Sequence, residues 1–215
     1  MIEKQAPMDW SFVLRWAASC VIGIVVFGLV SFWLRWRLAE AVGQGTLVVV
    51  LVAGAAFAGL LALGGVLGPG LLLRRIGVSP VRWIGFSTAA AALTMSIGVS
   101  LIDNFTEGIS SSAVSALFVG SMLGVPMGLA QWQLLKQRAV PAAIWPFISF
   151  AAYVLGIGIV FANPSVPTWL TLAGMGFVVG LITGLAMMWL LRRASDFPTG
   201  SGHPAHDSGT PGAVR

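Results

Sequence analysis

The feature that most constrains this chain is a series of six long apolar stretches that together hold most of its residues. Hydrophobic residues make up 57% of the chain and charged residues only 9%, whereas a soluble domain is about one quarter charged. A helix needs about 20 apolar residues to cross the hydrocarbon core of a bilayer. The sequence therefore predicts an all-α, polytopic integral membrane protein with six transmembrane helices. The predicted spans are residues 13–34, 47–73, 83–102, 110–135, 145–162 and 169–191.

Little sequence remains for a globular domain outside these spans. Residues 1–193 are therefore interpreted as one six-helix transmembrane domain. Residues 194–215 are rich in Gly, Pro, Ser and Thr and have no apolar periodicity, which is typical of disorder. They are predicted to form a disordered cytoplasmic tail.

The positions of the basic residues predict how the chain is oriented. Arg35 and Arg37 are alone on one side of an even number of spans, and an excess of Lys and Arg marks the cytoplasmic side of a membrane protein. Both termini are thus expected in the cytoplasm, most simply in a bacterial plasma (inner) membrane. The net charge of +5 then reflects topology, and nucleic acid is not an expected partner. The other ten basic residues are Lys4, Arg15, Arg74, Arg75, Arg82, Lys136, Arg138, Arg192, Arg193 and Arg215.

The even-numbered spans end alike, which indicates an internal repeat. Leu72-Leu73 is followed by Arg74, Leu134-Leu135 by Lys136, and Leu190-Leu191 by Arg192. Spans three and five also begin alike, with Trp83 and Trp145. The chain is therefore predicted to consist of three pseudo-repeated helical hairpins, formed by spans one and two, three and four, and five and six.

Spans four and six also share a row of glycines at four-residue spacing, which keeps the glycines on nearly one helix face. Small residues on such a face let helix backbones approach closely in lipid, so each row predicts a glycine zipper. Biased composition is the alternative, since the chain has 27 glycines. When Leu135 is aligned with Leu191, the two rows coincide without a gap. They are Gly120, Gly124 and Gly128 in span four, and Gly176, Gly180 and Gly184 in span six.

Tryptophan is concentrated at or near the span ends, where an indole ring prefers the headgroup region of a bilayer. All nine tryptophans are therefore interpreted as an aromatic belt. They are Trp10, Trp16, Trp83, Trp132, Trp145 and Trp189 on the cytoplasmic side, and Trp33, Trp36 and Trp169 on the other.

A few polar or breaking residues lie inside the spans. Gln131, Thr94 and Ser96 are candidates for the polar lining of a small cavity, or for hydrogen bonds that join helices. Pro126 interrupts span four and predicts a kink, because proline leaves a helix carbonyl without its usual donor. Cys20, the only cysteine, is expected to act as a small buried apolar residue.

Asp103 and Glu107 form an acidic cluster at the outer end of span three. They are interpreted as part of a solvated loop, with cation binding or pairing to Arg35 and Arg37 as the alternatives. The spans contain no histidine and no acidic residue at mid-depth, and no hydrolase, zinc or phosphate-binding motif is present. The sequence predicts no catalytic residue, no cofactor and no metal site.

Packing residues are abundant and ionisable lining residues are absent, so the first functional hypothesis is a non-enzymatic structural or accessory membrane component. The expected partners are the lipid bilayer and either another membrane protein or further copies of this chain. The alternative hypothesis is a small transporter, or the substrate-binding subunit of one, for an uncharged or hydrophobic solute. An enclosed polar cavity near mid-membrane would favour the alternative, whereas a dry interior would favour the first hypothesis.

Overall fold

The computed structural model describes residues 10–42, 47–74, 77–105, 112–136, 140–162 and 164–196 of the chain. The described residues form helices and turns without any strand, which confirms the all-α class. Each predicted span coincides with one helix, but α1 continues eight residues past the predicted end at residue 34 and α6 five residues past residue 191; a short 3₁₀ segment, Val140–Ile144, precedes the fifth helix. The helices are α1 (Trp10–Val42), α2 (Leu47–Leu73), α3 (Pro80–Phe105), α4 (Ser112–Leu135), α5 (Trp145–Ala162) and α6 (Thr168–Asp196).

The helices form a closed ring in which each one packs against its neighbours in sequence and α6 packs against α1. Neighbouring helices run antiparallel. At the α1–α6 contact, for example, Gly28 faces Leu172, whereas Gly184 faces Trp16 near the opposite end. All six helices therefore share two ends: one where α1, α3 and α5 begin, and one where α2, α4 and α6 begin.

Five of the helices are long and apolar enough to span a membrane: α1, α2, α4, α5 with its preceding turn, and α6. The helix α3 is not among these five. The described side chains of α3 end at Gly98 and include Arg82, Ser87, Thr88, Thr94 and Ser96. The structure thus has five candidate membrane-spanning helices among its described residues.

Large apolar side chains cover the outside of the ring as well as its core. A soluble protein rarely exposes such a continuous apolar surface, because that surface would be in contact with water. In a bilayer the same surface is in contact with lipid tails. Exposed residues of this kind include Leu14, Ile22, Val26 and Leu29 on α1, Leu117 and Leu129 on α4, and Leu170 and Phe177 on α6.

The connection from α2 to α3 fixes the position of Trp83. Gly77 has a φ of 76°, a left-handed conformation that glycine adopts without steric cost, and its N–H donates to the carbonyl of Arg74 over 3.0 Å. Ser79 then precedes Pro80, the first residue of α3, and proline is favoured there because its fixed φ suits a helix. The N–H of Trp83 donates to the carbonyl of Ser79 over 3.0 Å, which completes the first turn.

Parts of the sequence predictions lie outside the described residues. These parts are residues 197–215 of the predicted tail, residues 110–111 of span four, the side chain of Asp103, and Glu107, together with the basic residues Lys4, Arg75 and Arg138. The prediction of a solvated acidic cluster is therefore not tested. Cys20 is described, and it is buried as expected.

Candidate functional site

Three tryptophans surround a small cavity near the end of the ring where α1, α3 and α5 begin. Trp16, Trp83 and Trp145 each come from the start of a different helix, and each is only 1% exposed. The ring centroids of Trp83 and Trp145 are 6.1 Å apart at an interplanar angle of 59°. The cavity has a volume of about 20 Å³. Its lining also includes Gly65, Val66, Pro69, Gln131, Ser149, Tyr153, Val179 and Thr183.

The burial of these three tryptophans corrects the prediction of a nine-member aromatic belt. Trp10, Trp33, Trp36 and Trp169 are each more than half exposed, as a belt requires. Trp16, Trp83 and Trp145 instead point into the ring, where small side chains of the adjacent even-numbered helix leave room for an indole. A signal in the sequence distinguishes them, because each is followed four residues later, on the same helix face, by a small residue with a thiol or hydroxyl group. Those residues are Cys20, Ser87 and Ser149.

Two of the three buried indoles donate to a side chain of an even-numbered helix. Trp16 Nε1 donates to Thr183 Oγ1 over 3.0 Å, which joins α1 to α6. Trp145 Nε1 donates to Gln131 Oε1 over 2.7 Å, which joins α5 to α4. Gln131 Nε2 in turn donates to Ser87 Oγ on α3 over 3.0 Å. Gln131 thus connects three helices through hydrogen bonds among buried groups.

The third indole lacks such an acceptor. Trp83 Nε1 is buried and has no hydrogen-bond partner among the described residues, and the same holds for Oγ of Ser149, which also lines the cavity. An unsatisfied buried donor costs about 1–3 kcal/mol, so the pair is an unusual feature of a well-packed interior. Thr88 Oγ1 is also buried without a partner among the described residues, but it does not line the cavity.

Comparison of the even-numbered helices shows why Trp83 differs from the other two. When Leu73, Leu135 and Leu191 are aligned, Gln131 of α4 corresponds to Pro69 of α2. In the same alignment, Thr183 of α6 corresponds to Gly65 of α2. Neither proline nor glycine carries a side-chain acceptor. The helix α2, which packs against α3, therefore offers Trp83 no counterpart to Gln131 or Thr183.

Both helix-interrupting prolines are compensated by a side chain from a neighbouring helix. Pro126 has no N–H, so it leaves the carbonyl of Met122 without its usual donor, and Thr94 Oγ1 lies 2.8 Å from that carbonyl oxygen. Pro69 likewise leaves the carbonyl of Gly65 without its usual helical donor. The Cys20 thiol donates to this oxygen over 3.4 Å. A freed carbonyl inside a membrane needs such a partner, because lipid supplies none.

The glycine row of α4 faces the backbone of α5. A Cβ added at Gly120 would lie 2.5 Å from Val154 Cα, and one at Gly124 would lie 2.7 Å from the Ser149 carbonyl oxygen. A Cβ at Gly128 would lie 2.7 Å from Pro146 Cα. Real Cβ atoms do not approach backbone this closely, so any side chain here requires α4 and α5 to move apart.

The glycine row of α6 faces α1 in the same way. A Cβ at Gly176 would lie 2.7 Å from Val21 Cα, and one at Gly180 would lie 2.7 Å from Ala17 Cα. Gly184 faces the ring of Trp16, where an added Cβ would lie 3.1 Å from the nearest atom. The α1–α6 contact differs from the α4–α5 contact by one helical turn: Ala17, which follows Trp16, faces Gly180, whereas Pro146, which follows Trp145, faces Gly128, the residue aligned with Gly184.

The structure places the three predicted polar lining residues in different surroundings. Gln131 lines the cavity beside Trp145. Thr94 lies on the side of α3 that packs against α4, and its hydroxyl is near the Met122 carbonyl. Ser96 Oγ donates to the carbonyl of Leu93 in its own helix over 2.8 Å, and neither Thr94 nor Ser96 is among the cavity-lining residues.

The described residues offer no cluster of three or more His, Cys, Asp or Glu side chains that could hold a metal ion. The chemical groups that meet at the cavity are indole N–H, amide and hydroxyl groups, which can orient a small neutral molecule by hydrogen bonds. Comparisons of the chain with protein-family models, with curated proteins and with solved structures find no match.

Proposed function

We propose that the chain is a multi-pass membrane protein that crosses the bilayer six times, with α3 as the sixth span. The helix α3 is 26 residues long and lies between α2 and α4, both of which are candidate spans. Phe86, Leu93 and Ile97 lie on one side of α3 and are each more than half exposed. A stripe of this kind suits contact with lipid. The polar residues of α3 instead include Ser87 and Thr94, which are engaged with α4.

The proposed orientation has both termini in the cytoplasm of a bacterium, with the protein in the plasma membrane. The exposed cations at the end where α1, α3 and α5 begin support it, because such an excess is typical of the cytoplasmic face. At the opposite end, Arg37 lies 3.5 Å from Glu40, which offsets its charge. The exposed cations are Arg15, Arg74, Arg82, Lys136, Arg192 and Arg193.

We further propose that three repeated hairpins build the ring, joined by zipper-like contacts of small residues. The support is that α2, α4 and α6 bury the same aligned positions and that each packs on the first helix of the next hairpin, with α6 returning to α1. In α2 the glycine rows are replaced by slightly larger residues, which are also buried. The aligned sets are Ala58, Ala62 and Val66; Gly120, Gly124 and Gly128; and Gly176, Gly180 and Gly184.

The function proposed for this ring is that of a non-enzymatic structural or accessory membrane component, which acts through its outer surface. The observation that carries the proposal is the filled interior. The central cavity, of about 20 Å³, has room for about one water molecule. A larger solute would have to separate helices that meet backbone to backbone at Gly120 and Gly124.

Space for a partner lies outside the ring, in an open groove between α4 and α5 with a volume of about 560 Å³. The proposed occupant is an apolar transmembrane helix of a partner protein, since the groove is apolar throughout and lies on two candidate spans. Its residues are Val125, Leu129, Trp132, Ala143, Pro146, Phe147 and Phe150.

Purification from the native membrane in mild detergent, followed by mass spectrometry, tests this function. A protein recovered in a fixed ratio to the chain supports the proposal. Ala143→Phe fills the groove and is expected to release that protein. Ala18→Phe changes an exposed alanine on α1, away from the groove, and is expected to retain it. Recovery of no stoichiometric protein, or equal retention by both variants, would contradict a role for the groove.

A small transporter, or its substrate-binding subunit, is the second candidate. The observation that favours it is the pair of unpartnered groups at the cavity, Trp83 Nε1 and Ser149 Oγ, which could hold an uncharged solute if the ring opened. A small molecule retained in stoichiometric amount by the purified chain, in place of a protein, would support this candidate.

A further inference from the structure

We propose that the cavity between the three tryptophans binds one water molecule, held by Trp83 Nε1 and Ser149 Oγ. The inference concerns the interior of the ring and does not depend on which partner the outer surface binds.

The size of the cavity fits this ligand. A cavity holds a water molecule when it offers at least about 10–15 Å³, and the volume here is about 20 Å³. A second water molecule or a larger solute does not fit without movement of the walls. All of the lining residues are buried, so the proposed water lies among interior side chains of the ring.

The chemistry of the walls also fits water. A buried water molecule makes about three hydrogen bonds, and dry cavities in proteins are lined by apolar side chains. The indole N–H of Trp83 needs an acceptor, and the Ser149 hydroxyl needs either a donor or an acceptor. Water supplies both. Gln131 and Thr183 line the same cavity and offer further oxygen atoms to it.

The arrangement of the helices explains why the site lies at Trp83 and not at the other two indoles. Trp16 and Trp145 already donate to Thr183 and Gln131. The aligned positions of α2 are Gly65 and Pro69. Neither has a side-chain acceptor for the indole N–H of Trp83, and both line the cavity beside it. The proposed water therefore takes the place of the side-chain acceptor that α2 lacks.

Nuclear magnetic resonance of the detergent-solubilised protein, labelled with ¹⁵N at the tryptophan indoles, tests the proposal. Water-selective cross-relaxation is measured at the indole N–H signals, which are assigned by the variants Trp16→Phe, Trp83→Phe and Trp145→Phe. We expect the strongest cross-peak, of the sign typical of a long-lived bound water, at Trp83, and weaker ones at Trp16 and Trp145. The Ser149→Ala variant is expected to lose or weaken that cross-peak, while its other indole signals stay unshifted.

Absence of the cross-peak at Trp83 in the folded protein would overturn the proposal. Equal cross-peaks at all three indoles would do the same, because they would report general wetting of the ring. Equal cross-peaks in the Ser149→Ala variant and the native chain would remove Ser149 from the site. A structure at a resolution that resolves water gives an independent test: the water oxygen is expected within hydrogen-bond distance of Trp83 Nε1.

Discussion

The hydroxyl oxygen of Thr94 on α3 lies 2.8 Å from the carbonyl oxygen of Met122 on α4. The same hydroxyl lies equally close to the carbonyl of Ala90 in its own helix, at 2.8 Å, although it has only one hydrogen to donate. The Ala90 carbonyl already has its helical donor, the N–H of Thr94. The Met122 carbonyl has none, because Pro126 stands where that donor would be. Donation of the hydroxyl hydrogen to Met122 on α4 therefore satisfies a carbonyl that would otherwise lack a donor, whereas donation to Ala90 would not.

Removal of the Thr94 hydroxyl is expected to destabilise the protein, and the loss of stability should be larger when residue 126 is proline. Thr94→Val should lower the free energy of unfolding in detergent by about 0.6 kcal/mol, the average measured for hydrogen bonds between membrane helices, and by at most about 1.7 kcal/mol. In a Pro126→Ala background, the restored N–H of residue 126 satisfies Met122, so the same substitution should cost less. A double-mutant cycle measures the difference. An equal cost in both backgrounds would show that the Thr94–Met122 contact contributes nothing.

The glycine row of α4 gives a second prediction, tested with a matched pair of glycine substitutions. Gly124→Ala places a methyl group against the backbone of Ser149 and Phe150, and separating α4 from α5 should cost about 1–3 kcal/mol. Gly85→Ala places the same group where nothing lies within 4 Å, and it should be neutral or stabilising. Thermal unfolding of the two variants in detergent checks this. Equal stability of the two variants would contradict the claim that Gly124 is needed for the close contact between α4 and α5.

The two glutamines beside Trp132 give a third matched pair. Gln131→Leu removes the acceptor of Trp145 and the donor to Ser87, so at least one buried polar group loses its partner, at a cost of about 1–3 kcal/mol. Gln133 is exposed, and Gln133→Leu should change the stability by less than about 0.5 kcal/mol. The midpoint of thermal unfolding and the indole N–H shift of Trp145 are the measurements. A Gln131→Leu variant as stable as Gln133→Leu would contradict the role given to the three-helix hydrogen-bond network.

Reporter fusions distinguish six spans from five. A reporter fused after Gly77 follows two spans and is expected in the cytoplasm. A reporter fused after Thr106 follows α3 and is expected on the outer side if α3 crosses the bilayer. A fluorescent protein that folds only in the cytoplasm and an alkaline phosphatase that is active only outside provide opposite readouts. Phosphatase activity in the Gly77 fusion, or fluorescence in the Thr106 fusion, would refute the proposed topology.

Apolar length and spacing were enough to predict the helices of this protein but not the contacts between them. The ends of α2 and α4 could be predicted because Leu73 and Leu135 stand directly before basic residues, whereas α6 continues past Leu191 to Asp196. The four-residue spacing of Gly120, Gly124 and Gly128 predicted a close contact, but it could not say which helix lies opposite. That partner, α5, depends on how the whole chain closes into a ring.

The candidate site was harder to predict because it depends on the direction in which single side chains point. Trp83 and Trp169 both lie near the ends of predicted spans, yet one is 1% exposed and the other 55%. The acceptor of Trp16 is Thr183, a residue near the other end of the sequence, and local spacing carries no information about that pairing. Gln131 could be identified, since a glutamine inside an apolar span needs a partner.

The return of α6 to α1 has a consequence for the biogenesis of the protein. The helix α1 is translated before α2 to α5, and the helix that covers Trp16, Ala17 and Val21 is translated after them. Until α6 is made, this face of α1 lacks the helix that covers it in the structure. A nascent chain arrested before residue 168 should therefore expose Cys20 to a membrane-permeable thiol reagent from which a chain that includes α6 protects it.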